Sequence, residues 1–119
     1  MSDVQGPPLA DPRGQIAGDV LEVHRNSYGT GAGHVIVHLH DDLVVVVLDE
    51  LEFSNAERTL LESGHDETVR SMREAFQATI EVTLSAIVER ATGRTVTSFL
   101  SNTSIPARYS VELFRLAAV

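Results

Sequence analysis

The chain has 119 residues and a formal net charge of −8, with no cysteine. All nine basic residues are arginines, scattered from Arg13 to Arg115 among seventeen acids. That leaves no clustered positive face for nucleic acid or anionic lipid. It also excludes disulfides, thiolate nucleophiles, Schiff-base lysines and a Walker-type phosphate site. No apolar run approaches the ~20 residues that span a bilayer, so direct membrane insertion is not expected. The first residues, MSDVQGPPLADPRG, carry neither a basic nor a hydrophobic signal region, and the expected location is the cytoplasm.

Residues 1–10, rich in Gly and Pro, read as a flexible tail, and 11–119 as a single domain. A first helix is expected with Asp11 as N-cap and Pro12 at its first position, running to about Ser27. Ile16, Val20, Leu21 and His24 line one side of it. The breaker-rich Tyr28-Gly29-Thr30-Gly31-Ala32-Gly33 stops it. Because this loop leaves a helix and enters a strand, it lacks the following helix N-terminus that a phosphate loop relies on.

The stretch from His34 to Glu50 reads as a β-hairpin turning at Asp41-Asp42. A two-residue turn pairs His40 with Leu43, His38 with Val45, Ile36 with Val47 and His34 with Asp49. Alternation then gathers Val35, Val37, Leu39, Val44, Val46 and Leu48 on a wholly apolar face. The other face mixes His34, His38 and His40 with Ile36, Leu43, Val45 and Val47.

Ser54-Asn55-Ala56-Glu57 is a capping box, and it opens a short helix that Gly64 stops. A long third helix starts near Asp66 and Glu67 and ends at Gly93. Val69, Met72, Phe76, Ile80, Leu84, Ile87, Val88 and Ala91 form its expected buried stripe. Two strands follow, at about 95–102 and 109–116, joined by a turn around Pro106.

The order α-β-β-α-α-β-β implies an α+β fold: a four-stranded antiparallel sheet from two β-hairpins, with helices packed on one face. Two hairpins can be arranged in several strand orders. The mixed hairpin face, with Phe114 and Leu116, leaves apolar surface for a homodimer to cover: Ile36, Leu43, Val45, Val47, Phe114 and Leu116 are the expected interface. The competing arrangement has the first helix covering that face within one chain.

His34, His38 and His40 are the candidate metal ligands, since histidines at period two can bring imidazoles to one Zn²⁺ or Ni²⁺. Against this, histidine is tolerated on the wetter face of an antiparallel sheet. The same histidines could instead make an interface pH-sensitive. Glu57, Glu62, Asp66 and Glu67 are explained by helix ends, and Ser98, Ser101, Thr103 and Ser104 carry no nucleophile-elbow pattern. Neither an enzyme nor a resident cofactor is expected.

Several patches in order resemble the MpsC-like family, once classed only as a domain of unknown function. They are Val23-His24 through Tyr28-Gly29-Thr30-Gly31; Asp41-Asp42-Leu43-Val44-Val45-Val46; and Ala56-Glu57-Arg58-Thr59-Leu60 with Gly64, Val69 and Arg73. Val88-Glu89, Thr92-Gly93-Arg94-Thr95-Val96, Phe99-Leu100-Ser101 and Glu112-Leu113-Phe114 complete them, from about Gln15 to Leu116. Ala32 stands where the pattern leads one to expect proline, and Pro106-Ala107-Arg108 lacks an expected acid. The resemblance implies an accessory part in a Na+-translocating membrane-potential-generating system, docking on a membrane-protein partner. It brings no catalytic residues. The expected function is therefore a homodimeric, non-enzymatic interaction module; the alternative is a small-ligand or metal sensor using the mixed face or a dimer cleft.

Overall fold

A computed structural model describes residues 11–118. The expected tail at 1–10 lies outside the described residues. Helix α1 (Arg13–Tyr28) begins one residue later than expected, with Pro12 as its N-cap. Asp11 still takes part, its carboxylate accepting from the Arg13 backbone N–H at 3.2 Å. Gly29 ends the helix at φ 77°, in the left-handed region where glycine carries no Cβ penalty.

Strands β1 (Ala32–His40) and β2 (Leu43–Leu51) form the hairpin in the expected register, including His40–Leu43, His38–Val45, Ile36–Val47 and His34–Asp49. Period two and a two-residue turn leave no other pairing that keeps the valines together. Helix α2 (Asn55–Glu62) carries the capping box in full: Glu57 N–H donates to Ser54 Oγ, and Ser54 N–H to the Glu57 carboxylate. Helix α3 (Asp66–Thr92) follows, and strands β3 (Val96–Ser104) and β4 (Tyr109–Leu116) close the fold.

The sheet order is β1-β2-β4-β3, antiparallel throughout, so the two hairpins join through β2 and β4. All the helices lie on one face, α1 against β1 and α3 against β3, with α1 and α3 also in contact. Ile16 and Val20 of α1 and Val69, Leu84 and Val88 of α3 meet Val44, Val46, Leu48 and Phe114 of the sheet. Because α1 packs here, the opposite face stays uncovered among the described residues.

Two sequence expectations are corrected. Phe114 and Leu116 belong to the core rather than to an exposed interface; Phe114 is 0% exposed. They share the inward parity of β4 with Ser110 and Glu112. In α3, Met72 and Phe76 are 40% and 43% exposed, and Arg73 and Gln77 are buried instead. The inward positions of that half of the helix run Val69, Arg73, Gln77, because polar partners on neighbouring elements wait there.

Candidate functional site

The uncovered sheet face holds most of the residues singled out from sequence. His34, Ile36, His38 and His40 stand on β1, with Leu43, Val45 and Val47 half-buried beside them on β2. The register continues across β4 and β3, lining up His38, Val45, Leu113 and Leu100 in one row and Ile36, Val47, Val111 and Asn102 in the next. Leu100 is 64% exposed at the far edge. An apolar patch thus crosses all four strands, with the histidines along one side.

The three histidines do not converge. His34 Nε2 lies 3.5 Å from Glu50 Oε1, near the start of β1, and His40 Nε2 lies 3.4 Å from Asp41 Oδ2 at the turn. These contacts draw the rings toward opposite ends of the strand. Among the described residues, no three His, Asp or Glu side chains are placed to hold a metal ion.

A second arrangement lies under the helices. His24 of α1 and Glu112 of β4 meet inside the core, with Nε2 to Oε2 at 2.7 Å and side-chain exposures of 2% and 0%. Gln77 of α3 brings its amide nitrogen within 3.4 Å of the same imidazole nitrogen and donates to the Tyr28 hydroxyl at 3.1 Å. Tyr28 in turn donates to the backbone carbonyl of Arg73 at 3.1 Å. Among the described residues, Glu112 Oε1 and Gln77 Oε1 are buried without a hydrogen-bond partner. A polar layer therefore joins both long helices to the sheet through groups that are costly to leave unpaired.

Arg73 anchors the far end of this layer. Its guanidinium grips the Glu57 carboxylate with two bonds, at 2.7 and 2.9 Å, and donates to the Glu52 carbonyl at 3.1 Å. It stacks between Tyr28 and Phe53, 4.6 and 5.0 Å from their ring centres. Burial works against the Glu57 charge, but the bonds from Arg73 and the Ser54 N–H outweigh it and hold the carboxyl below its ordinary value. Burial pushes the Tyr28 phenol up to about 12.

The remaining sequence candidates have structural roles. Gly31 donates its N–H to Glu52 Oε1, and the Thr30 hydroxyl donates to the Glu52 carbonyl, so the glycine loop is tied to the residue that follows β2. Thr103 and Ser110 share a buried hydroxyl–hydroxyl bond of 2.7 Å across β3 and β4. Sequence reasoning missed the His24–Glu112 layer, although a signal existed. His24 lies on the helix face of Ile16 and Val20, and Glu112 has the strand parity of Phe114 and Leu116.

Against known families, residues 13–118 match the model described as "Na+-translocating membrane potential-generating system (MpsC)". The chain belongs to the MpsC family. The match covers all seven helices and strands, from α1 to β4. No curated protein and no solved structure matches the chain. Among the described residues of this MpsC domain, no helix is long and apolar enough to cross a membrane.

Proposed function

We propose that this chain is a non-enzymatic interaction module that pairs with a second copy through its uncovered sheet face and serves a membrane-potential-generating system from the cytoplasmic side. One observation carries the reading: an antiparallel sheet with helices on one face only, whose other face bears Ile36, Leu43, Val45, Val47, Leu100, Val111 and Leu113. Apolar surface left in water is unfavourable, and a contiguous patch marks an interaction site. Four strands of eight or nine residues give a face roughly 28 Å by 19 Å. Two such faces together bury on the order of 1,000 Å², the lower bound for a specific interface.

The family description supports the choice of process. Moving Na+ against a potential requires a membrane-spanning path, and this domain supplies no helical one among its described residues. Its part in such a system is accessory, and its partner is a membrane protein. The closed His24–Glu112 layer supports the non-enzymatic reading, since no substrate reaches groups so deeply buried.

Native mass spectrometry of untagged protein, with Val45→Glu as the control, tests the self-association. The wild type is expected as a dimer and the variant as a monomer of unchanged fold. A wild-type monomer at micromolar concentration, or a dimeric V45E, overturns the assignment of this face.

A further inference from the structure

We infer that the cavity between the β2–α2 connection and the β3–β4 turn binds a small organic anion with an apolar body. The cavity has a volume of about 390 Å³, within the range of small-ligand sites. Phe53, Leu61, Ile105 and Pro106 make its wall apolar, and Arg58 and Arg108 bring two guanidinium groups to it.

Among the described residues, neither of these cations holds a carboxylate. Arg13, Arg70, Arg73 and Arg94 each hold a carboxylate. Among the described residues, Arg58 bonds only the Asn55 side-chain oxygen, and Arg108 bonds the Leu51 carbonyl at 2.9 Å. Glu52 also lines the cavity, but its Oε1 accepts the Gly31 N–H on the side of the α1–β1 loop. Two positive charges against one negative, beside apolar walls, is an unusual local balance in a chain of net charge −8.

Arg108 is held in place by its backbone. Its φ of 56° lies in the left-handed region, which a non-glycine residue occupies only when its surroundings enforce it. The enforcement is visible: Leu51 N–H donates to the Arg108 carbonyl at 3.0 Å, and Arg108 N–H donates to Ile105 at 3.1 Å. The turn thereby fixes a guanidinium over Phe53, 6.0 Å from its ring centre. A planar guanidinium matches a carboxylate with two parallel bonds, and the apolar wall takes the hydrocarbon part. The ligand class is a carboxylic acid anion with a short alkyl or aryl body.

Titration with octanoate, followed by amide NMR, tests the site. Saturable shifts at Leu61, Ile105 and Arg108 are expected, with a Kd on the order of 1 mM for a ligand of about ten non-hydrogen atoms. Octan-1-ol, with the same body and no charge, should bind at least roughly tenfold more weakly. Arg108 holds Leu51, so the informative variant is Arg58→Gln on the exposed face of α2. It should weaken octanoate binding about fivefold or more at unchanged Tm, with partial recovery in Arg58→Lys. Shifts that do not saturate, shifts mapping elsewhere, equal affinity for the alcohol, or R58Q affinity equal to wild type would each overturn the proposal.

Discussion

His24 Nε2 and Glu112 Oε2 stand 2.7 Å apart inside the core, 88 positions apart in the chain and both closed to water. Neither α1 nor β4 can shift without breaking this contact, so the pair sets how the first helix seats on the sheet. Removing one partner leaves a buried polar group uncompensated, which costs roughly 3 kcal/mol or more. Replacing both by apolar groups removes that penalty. His24→Phe and Glu112→Leu are each expected to destabilise by about that amount, and the double variant by clearly less than the sum. Urea unfolding of the four proteins in the cycle measures the coupling; an additive double variant would show the contact to be energetically idle.

The Arg73–Glu57 pair gives the fold an acid limit. The Glu57 carboxyl is held below its ordinary 4.5, so its folded value lies below its unfolded one. Its contribution is complete above the unfolded value and is lost as pH falls through the folded one. Thermal unfolding from neutral pH down to about pH 3 should show Tm falling, and Glu57→Gln should flatten that fall. Arg73→Leu strands the carboxylate and should cost roughly 3–5 kcal/mol at neutral pH.

Tyr28 sets the alkaline limit. Its phenol is raised from 10.0 to about 12, so stability from the neutral form is full below the unfolded value and is lost as pH rises through about 12. Tyrosinate absorbance should show a late step in the native protein that Tyr28→Phe abolishes. Persistence of that step in the variant would assign it elsewhere.

Faces of the same sheet should respond differently to substitution. Phe114→Ala opens a cavity in the core beside Phe99 and should lower stability by roughly 3–5 kcal/mol, read by urea denaturation. Val47→Glu lies on the uncovered face, half-buried between Ile36 and Val111. It should change the mass in light scattering from dimer to monomer while altering the unfolding midpoint far less than F114A does.

Glycine to alanine should have opposite signs within α1 and at its C-cap. At Gly18, within the helix and with nothing near an added Cβ, alanine should stabilise by about 0.5–1 kcal/mol. At Gly29, where φ is 77°, the same change should cost about 1 kcal/mol although space is equally open. Paired thermal melts of the two variants check the signs.

Local pattern was enough for the elements, the β1–β2 register and the caps. Alternation over His34–Glu50 admits one pairing, the Ser54–Glu57 box closes within four residues, and Gly29 and Gly93 end helices by their own backbone freedom. These features depend on neighbours in the chain, so they are legible there. The side of β4 that faces inward was not. Glu112 shares its parity with Phe114 and Leu116, and although an acid ordinarily marks the wet side, all three are buried. Likewise Met72 and Phe76 outrank Arg73 and Gln77 in any hydrophobic ordering of α3, yet they lie outside. Tertiary structure reversed both because the partners come from afar: His24 for Glu112, Tyr28 for Gln77 and Glu57 for Arg73. A polar side chain is stable inside only when its partner arrives with it, and which groups arrive together is decided by the packing of α1 and α3 on the sheet.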